Sequence, residues 1–299
     1  MAVYHIPPFL AISAGNMNKY MVYSYFAEIV CSPTERIHAL MVIHVLAVGD
    51  VCGTPGLVFL EKRLPAFQRE HNIHFTVVNG ENANVVGITP EQADRLFSAG
   101  ADIVTLGNHT WTRWELQPYL DNHDRILRPL NYAPQCPGHG YGIYRREFGD
   151  ILVINAMGRF TLDFCTDNPF VEVNRLLSEL ETLPKIILLD MHAEATSEKL
   201  SMGYYLDGRA SAVWGTHTHV QTSDARVLRD GTGYITDLGM TGAVEGVLGI
   251  DIDQSVNKLL GDPPRRYRAA DGPAKMECCV FDIDSDTGRC LGVEALRVL

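Results

Sequence analysis

Hydrophobic positions in this chain gather into short, almost unbroken runs, and polar positions concentrate where those runs end. The clearest runs span residues 41–50, 74–80, 101–108, 151–158 and 185–192. Because these runs are short and rich in β-branched residues, they are typical of strands buried on both faces, as in a parallel sheet. Further strands are predicted within residues 211–219, 234–239 and 275–284.

Segments with the period of a helix lie between these runs. Residues 89–100 have Thr89 as the expected N-cap, Pro90 at the first helical position and Gly100 beyond the last turn. Residues 169–183 also have helical periodicity, and residues 112–120 predict a short helix. The alternation predicts an α/β protein whose helices cover a mostly parallel or mixed sheet.

The first part of the chain does not share this pattern. Residues 1–40 combine a Pro-Pro pair, a polar GNMNK segment and a mixed aromatic run, whereas the regular pattern begins at Met41. We therefore predict a single domain over residues 41–299, preceded by an extension over residues 1–40. Met41 is a candidate for the natural first residue.

Composition restricts the classes of function. The chain has 299 residues, of which 46% are hydrophobic and 20% charged, as expected for a globular protein with a large core. Its formal net charge of -11 argues against general nucleic-acid binding, because the whole molecule repels polyanions. A phosphate-handling site would need local positive charge, and a bound metal ion is the simplest source.

Cysteine usage and hydropathy point to a cytoplasmic protein. The seven cysteines are irregularly spaced and form no C-x-x-C pair, which favours free thiols in a reducing compartment. No apolar run reaches the roughly 18 residues of a membrane span, so no membrane partner is expected.

Polar side chains that can ligate metals follow five of the predicted strands. In chain order they are Asp50, Glu81, Asn82, Asn108, His109, His192, His217 and His219. Open α/β sheets bind ligands beyond the carboxyl ends of their strands, so these side chains are expected to converge if the strands are parallel.

Each of these residues also has an ordinary explanation. Asp50 lies among glycine and proline and is typical of a turn. A single glutamate such as Glu81 is usually a solvated loop carboxylate, and His192 after an apolar run is typical of a hydrogen-bonded core histidine. These explanations are independent of one another, whereas a metal site accounts for all the residues together.

Imidazole, carboxylate and amide oxygen without a thiolate cluster suit iron, manganese or zinc. A carboxylate that bridges two ions builds a two-metal site, which makes hydroxide available near neutral pH and neutralises phosphoryl oxygens. The leaving alkoxide needs a proton, and His109, next to a candidate ligand, is well placed to supply it.

Several longer strings resemble a known family. GD at 49–50, GNH at 107–109, a histidine at the end of a strand and G-x-H-x-H at 215–219 look like the calcineurin-like metallophosphoesterase superfamily. The strings NGENA, TLGNHTW, RPLNY, HAEATSEK, GRASAVWGTHTHVQT and TDLGMTG resemble its YmdB-like branch, from Met41 to near the C-terminus.

The resemblance implies a four-layer α/β/β/α sandwich with mixed sheets and a phosphodiesterase for small substrates, above all 2',3'-cyclic nucleotides, attacked by a hydroxide between two metals. Two divalent or mixed-valence ions are implied, iron first and manganese as the alternative. Matched motif to motif, one ion would be held by Asp50, Asn82 and His219. The other would be held by Asn108, His192 and His217, with Glu81 as the bridge and His109 as the proton donor.

Two details of the motifs lead to separate expectations. Most of the superfamily has a histidine where this chain has Cys52, and Cys52 is expected to be a packing or loop residue. Side chains at i and i+2 of an extended chain point the same way, so His217 and His219 are expected to face one site. Each is then expected to bind a different ion.

Alternatives remain at this stage. The same scaffold serves a phosphomonoesterase or an RNA phosphodiesterase, and a metal-stabilised regulatory protein is an alternative from another class. The expected partner is a small phosphodiester, and a homo-oligomer is compatible with the sequence.

Overall fold

A computed structural model describes residues 41–162 and 165–299, so the extension predicted over residues 1–40 lies outside the described residues. The strands are β1 (Val42–Val48), β2 (Asp50–Val51), β3 (Phe75–Asn79), β4 (Ile103–Thr105), β5 (Ile126–Leu127), β6 (Tyr141–Arg146), β7 (Gly149–Met157), β8 (Ile186–His192), β9 (Ala212–Thr216), β10 (Arg226–Val227), β11 (Gly233–Ile235), β12 (Met240–Ala243), β13 (Ala274–Asp284) and β14 (Cys290–Val298). The helices are α1 (Gly53–Glu70), α2 (Pro90–Ala99), α3 (Gln117–Asn122), α4 (Pro169–Glu179), α5 (Thr196–Tyr205) and α6 (Ile252–Leu259), with a 3-10 turn at Trp114–Leu116.

The strands form two mixed sheets. The first has the order β2-β12-β13-β1-β3-β4-β5, with β14 paired to β13, and its strands β1, β3, β4 and β5 are parallel. The second has the order β10-β11-β9-β8-β7-β6, and its strands β7, β8, β9 and β11 are parallel. The carboxyl ends of the parallel strands in each sheet therefore lie at one edge.

Three apolar cores separate four layers. Leu46 of β1 shares a core with Leu60 of α1, so α1 and α2 cover the first sheet. Its neighbour Val45 points the opposite way and shares the core between the sheets with Trp214 of β9. Leu189 of β8 lies in the third core, beneath α4 and α5. The α/β/β/α sandwich implied by the family resemblance is confirmed.

Local signals predicted α2 well. Thr89 caps the helix through a reciprocal hydrogen-bond pair with Gln92, and Gly100 ends it in the left-handed conformation with φ 117°. The predicted helix over residues 169–183 ends earlier, at Glu179. Only Ile103–Thr105 of the predicted strand over residues 101–108 pairs as a strand.

The longest helix of the described residues, α1, was not predicted, since Gly53, Pro55 and Pro65 are residue types that usually interrupt helices. Pro55 is acceptable because it lies in the first turn, where the backbone N–H has no helical partner. Across the described ranges, no helix is long and apolar enough to cross a membrane.

Candidate metal centre

The candidate ligands come together where the parallel strands of both sheets end. Glu81 and Asn82 follow β3, Asn108 and His109 follow β4, and His192 is the last residue of β8. The convergence expected from the strand ends is present, and the first sheet and the second sheet contribute side chains to the same place.

The position of Asp50 corrects one expectation. The first predicted strand included Asp50, but β1 ends at Val48 and Asp50 begins the separate strand β2, which pairs with β12. Gly49 makes the step between the strands possible, because a Cβ there would collide with the backbone carbonyl of Gly239. Asp50 thus enters the site from an additional short strand.

One group of candidate ligands surrounds the imidazole of His192. Its Nε2 lies 2.8 Å from Oδ1 of Asn108, 3.0 Å from Oε1 of Glu81 and 3.1 Å from Nδ1 of His217. Glu81 and His192 are buried, and ligand atoms of Glu81, His192 and His217 all lie within 4.8 Å of one another. These donors can hold one metal ion.

A second group lies on the other side of Glu81. The Nε2 of His219 lies 3.1 Å from the side-chain amide nitrogen of Asn82 and 3.7 Å from Oδ1 of Asp50. The same amide nitrogen donates to Oε1 of Glu81 over 3.2 Å. Glu81 therefore contacts members of both groups, as a bridging carboxylate would.

His217 and His219, which are separated only by Thr218, belong to different ligand groups because the backbone turns between them. The extended-chain explanation is wrong, because β9 ends at Thr216 and the backbone is left-handed at both residues, with φ 98° at His217 and φ 62° at His219. The chain turns between them, so His217 lies beside His192 and His219 lies beside Asn82. Backbone curvature separates the two rings.

The electrostatics of the buried carboxylates fit a bound cation. Oδ1 of Asp50 is buried without a hydrogen-bond partner, and burial raises the pKa of this carboxyl to about 6. Burial also raises the pKa of Glu81, but the charge of His192 and its hydrogen bond outweigh that effect and bring the pKa to about 2. A metal ion would satisfy the orphaned oxygen and stabilise both carboxylates in their ionised form.

The two half-buried histidines His217 and His109 are suited to different tasks. Burial and the neighbouring His192 lower the pKa of His217 to about 3, which keeps its imidazole neutral, as a metal ligand must be. Burial also lowers the pKa of His109, although Glu81 opposes this. The backbone N–H of His109 donates to Oε2 of Glu81 over 3.1 Å, which fixes the residue beside that carboxylate without using its ring.

A buried polar network behind His192 was missed by the sequence analysis. The Thr216 hydroxyl donates to Oδ1 of Asp190 over 2.7 Å, so it must accept from the Nδ1–H of His192, 2.9 Å away. Asp190 also accepts from the hydroxyl of Thr105 and the amide of Asn79. Burial lowers the pKa of His192, but Glu81 outweighs that effect and raises it. With a metal ion bound the imidazole would be neutral, and its Nε2 lone pair would be directed at the ligand group. The signal was Asp190 itself, a carboxylate two residues before His192 in an apolar run.

A buried ion pair supports the turn that carries His217 and His219. The ammonium of Lys199 lies 2.6 Å from Oδ2 of Asp237, and both side chains are fully buried. The same oxygen accepts from the backbone N–H and the hydroxyl of Thr218, over 3.2 and 2.7 Å. Sequence analysis did not single out these residues, since Lys199 and Asp237 are far apart in the chain.

Cys52 is closer to the site than expected. It is buried, precedes α1, and its Sγ lies 3.5 Å from Nδ1 of His219. The backbone carbonyl of Leu248 also lies 3.0 Å from that nitrogen. The opposite ring nitrogen of His219 therefore faces Asn82 and Asp50.

The site opens into a cavity of about 340 Å³. Glu81, Asn82, His109, His217 and His219 line it. A cavity of this size is at the lower end of the range of small-molecule sites, roughly 300–1,000 Å³.

The chain is similar to known proteins over most of its length. The chain is 40% identical to the 2',3'-cyclic-nucleotide 2'-phosphodiesterase of Bacillus subtilis over 257 residues. The matched region covers 86% of this chain and 97% of that protein. A crystal structure described as a novel phosphatase, from Mycoplasma pneumoniae, superimposes with a TM-score of 0.81 at 28% identity, over 87% of this chain and 94% of that one.

A second crystal structure, of a hypothetical protein from Thermus thermophilus, superimposes with a TM-score of 0.79 at 37% identity, over 85% of this chain and 98% of that one. Residues 46–296 match the family described as YmdB-like protein. The resemblance found in the sequence motifs is confirmed, and this chain belongs to the YmdB-like family.

Proposed function

We propose that this protein is a metal-dependent phosphoric diester hydrolase whose substrates are small phosphodiesters of the 2',3'-cyclic nucleotide class. The observation that carries the proposal is the position of Glu81 between two groups of nitrogen and oxygen donors at a cavity of about 340 Å³. The relative from Bacillus subtilis, which is named for this reaction, supports the same substrate class.

In the proposed arrangement Asp50, Asn82 and His219 would hold one ion. Asn108, His192 and His217 would hold the other, with Glu81 as the shared ligand. When bound, the ions supply Lewis acidity toward the phosphoryl oxygens and lower the pKa of a water molecule. The donor set of imidazole, carboxylate and amide groups suits iron, manganese or zinc. We propose iron, with manganese as the alternative, because the family resemblance implies these metals.

His109 is the proposed proton donor to the leaving alkoxide. It lines the cavity, and its backbone contact with Glu81 keeps it beside the bridge without occupying its ring in that contact. Burial lowers the pKa of His109, and an anionic phosphodiester entering the cavity would oppose that effect by favouring the imidazolium. The catalytic unit we propose is residues 41–299.

The test compares 2',3'-cyclic AMP, a linear dinucleotide and a simple phosphomonoester as substrates of protein whose metal content has been measured. We expect turnover of the cyclic substrate to exceed that of the other two, and to require metal. Preference for the linear dinucleotide would favour an RNA phosphodiesterase, and preference for the monoester a phosphomonoesterase. Metal-loaded protein that turns over none of the three would support a binding protein.

A further inference from the structure

Part of the active-site cavity is lined by apolar and aromatic residues that belong to neither ligand group. They are Val85, Val86, Leu248, Ile250 and Tyr267. Leu248 is 48% exposed although it borders a polar centre. The metal centre accounts for the reacting phosphate, so this apolar part of the lining has no role in the chemistry described above.

The backbone of two of these residues is strained. In the described ranges six residues other than glycine have a left-handed backbone, and four of them, Val85, Leu248, His217 and His219, line this cavity. Such conformations cost energy and concentrate at functional sites. Val85, with φ 65°, is the most unusual of the four because β-branched residues rarely adopt this region.

The backbones of Val85 and Leu248 have structural roles that do not explain their side chains. The carbonyl of Leu248 contacts His219, and the N–H of Val85 donates to the carbonyl of Asn82 over 2.8 Å. Glycine would provide both backbone groups and adopt the left-handed conformation without steric strain. The branched apolar side chains at these two positions therefore indicate a role for the side chains in contacting what enters the cavity.

We propose that Val85, Leu248 and Tyr267 form a base wall that holds the nucleobase of the substrate while its phosphate lies at the metal centre. This inference rests on the proposed function and extends it to the part of the substrate that does not react. The part of the cavity formed by Val85, Leu248 and Tyr267 is apolar and aromatic, which matches the face of a nucleobase.

The chemistry of the base wall predicts how it discriminates. Valine and leucine have no side-chain hydrogen-bonding group, and the hydroxyl of Tyr267 already accepts a hydrogen bond from the ammonium of Lys258. Two of the three side chains of the base wall can therefore contact only the face of the base, and we expect the face to contribute more to recognition than the hydrogen-bonding edge. All four 2',3'-cyclic nucleotides are expected to be hydrolysed with similar kcat, and purines to have the lower KM because they offer the larger face.

The decisive experiment compares Leu248→Gly with wild type on 2',3'-cyclic AMP and on ribose 2',3'-cyclic phosphate, which lacks the base. Glycine retains the backbone carbonyl and favours the φ of 54°. We expect KM for cyclic AMP to rise roughly 5- to 30-fold, the equivalent of about 1–2 kcal/mol of lost apolar contact between the leucine side chain and the base. KM for the abasic substrate should change less than about twofold, because that substrate has no base to contact Leu248.

Val247→Gly is the matched control, because Val247 is 39% exposed, adjoins Leu248 and does not line the cavity. Tyr267→Leu should reproduce the selective effect of Leu248→Gly. An equal rise of KM on both substrates would overturn the base wall and show that Leu248 positions His219. An unchanged KM on both substrates would also overturn it, because the wall would then not contact the base. Wild-type protein that hydrolyses neither substrate would overturn the proposed function itself.

Discussion

The buried pair of Lys199 and Asp237 is expected to support both the stability of the protein and the geometry of the metal centre. The perturbation is Lys199→Met, which removes the ammonium and keeps a long apolar side chain. Asp237 would then retain its neutral donors, the backbone N–H and hydroxyl of Thr218 and the N–H of Gly239, but lose its cation. A fully buried carboxylate would be left without a counter-ion.

The structure allows the size of the effect to be worked out. Both side chains have 0% exposure, so solvent does not screen the loss. Removing one partner of such a pair costs about 3–5 kcal/mol. With a shift of about 2–4 °C per kcal/mol for large domains, Tm should fall by roughly 6–20 °C.

The consequence for metal binding is separate from the loss of stability. Asp237 holds Thr218, which lies between His217 and His219, so a shift of its carboxylate moves both rings. Residues that orient metal ligands typically contribute roughly 10- to 100-fold in metal affinity, and we expect Lys199→Met to weaken affinity by about this amount.

The assay is thermal unfolding together with metal titration of wild type, Lys199→Met and the control Lys62→Met. Lys62 is exposed, so its replacement should change stability by no more than about 0.5 kcal/mol. The double variant Lys199→Met, Asp237→Asn should recover part of the loss, because an amide needs no counter-ion but turns its NH2 group toward one of the backbone N–H donors. If Lys199→Met unfolds and binds metal as Lys62→Met does, the reasoning is refuted.

Three further predictions concern the centre directly. Glu81→Ala should lose both metals, since Glu81 contacts both ligand groups; elemental analysis that finds one ion retained would contradict a bridge. His109→Ala should retain the metals and lose roughly 10²–10⁴-fold in kcat, and full activity would exclude His109 as the proton donor. Asp190→Asn should weaken metal affinity about 10- to 100-fold by disturbing the hydrogen bond from His192 to Thr216, and unchanged affinity in a metal titration would show that this network is only structural.

The sequence by itself determined the elements whose signals are local. The capping pair of Thr89 and Gln92 and the left-handed Gly100 involve residues within a few positions of the helix they bound. The same holds for the run that ends at His192, which is a strand ending at that residue. Metal-ligating residue types at consecutive strand ends were also visible, because parallel strands have a common direction and place their ends at one edge.

Only the tertiary structure decided how these pieces meet. Asp50 reaches the centre because β2 pairs with β12, a strand far away in the chain, and no local pattern encodes that pairing. The rings of His217 and His219 diverge because a turn anchored by Asp237 replaces the extended backbone that the spacing suggested. Periodicity reflects contacts between near neighbours in the chain, whereas the centre depends on contacts between distant segments that exist only once the two sheets have packed.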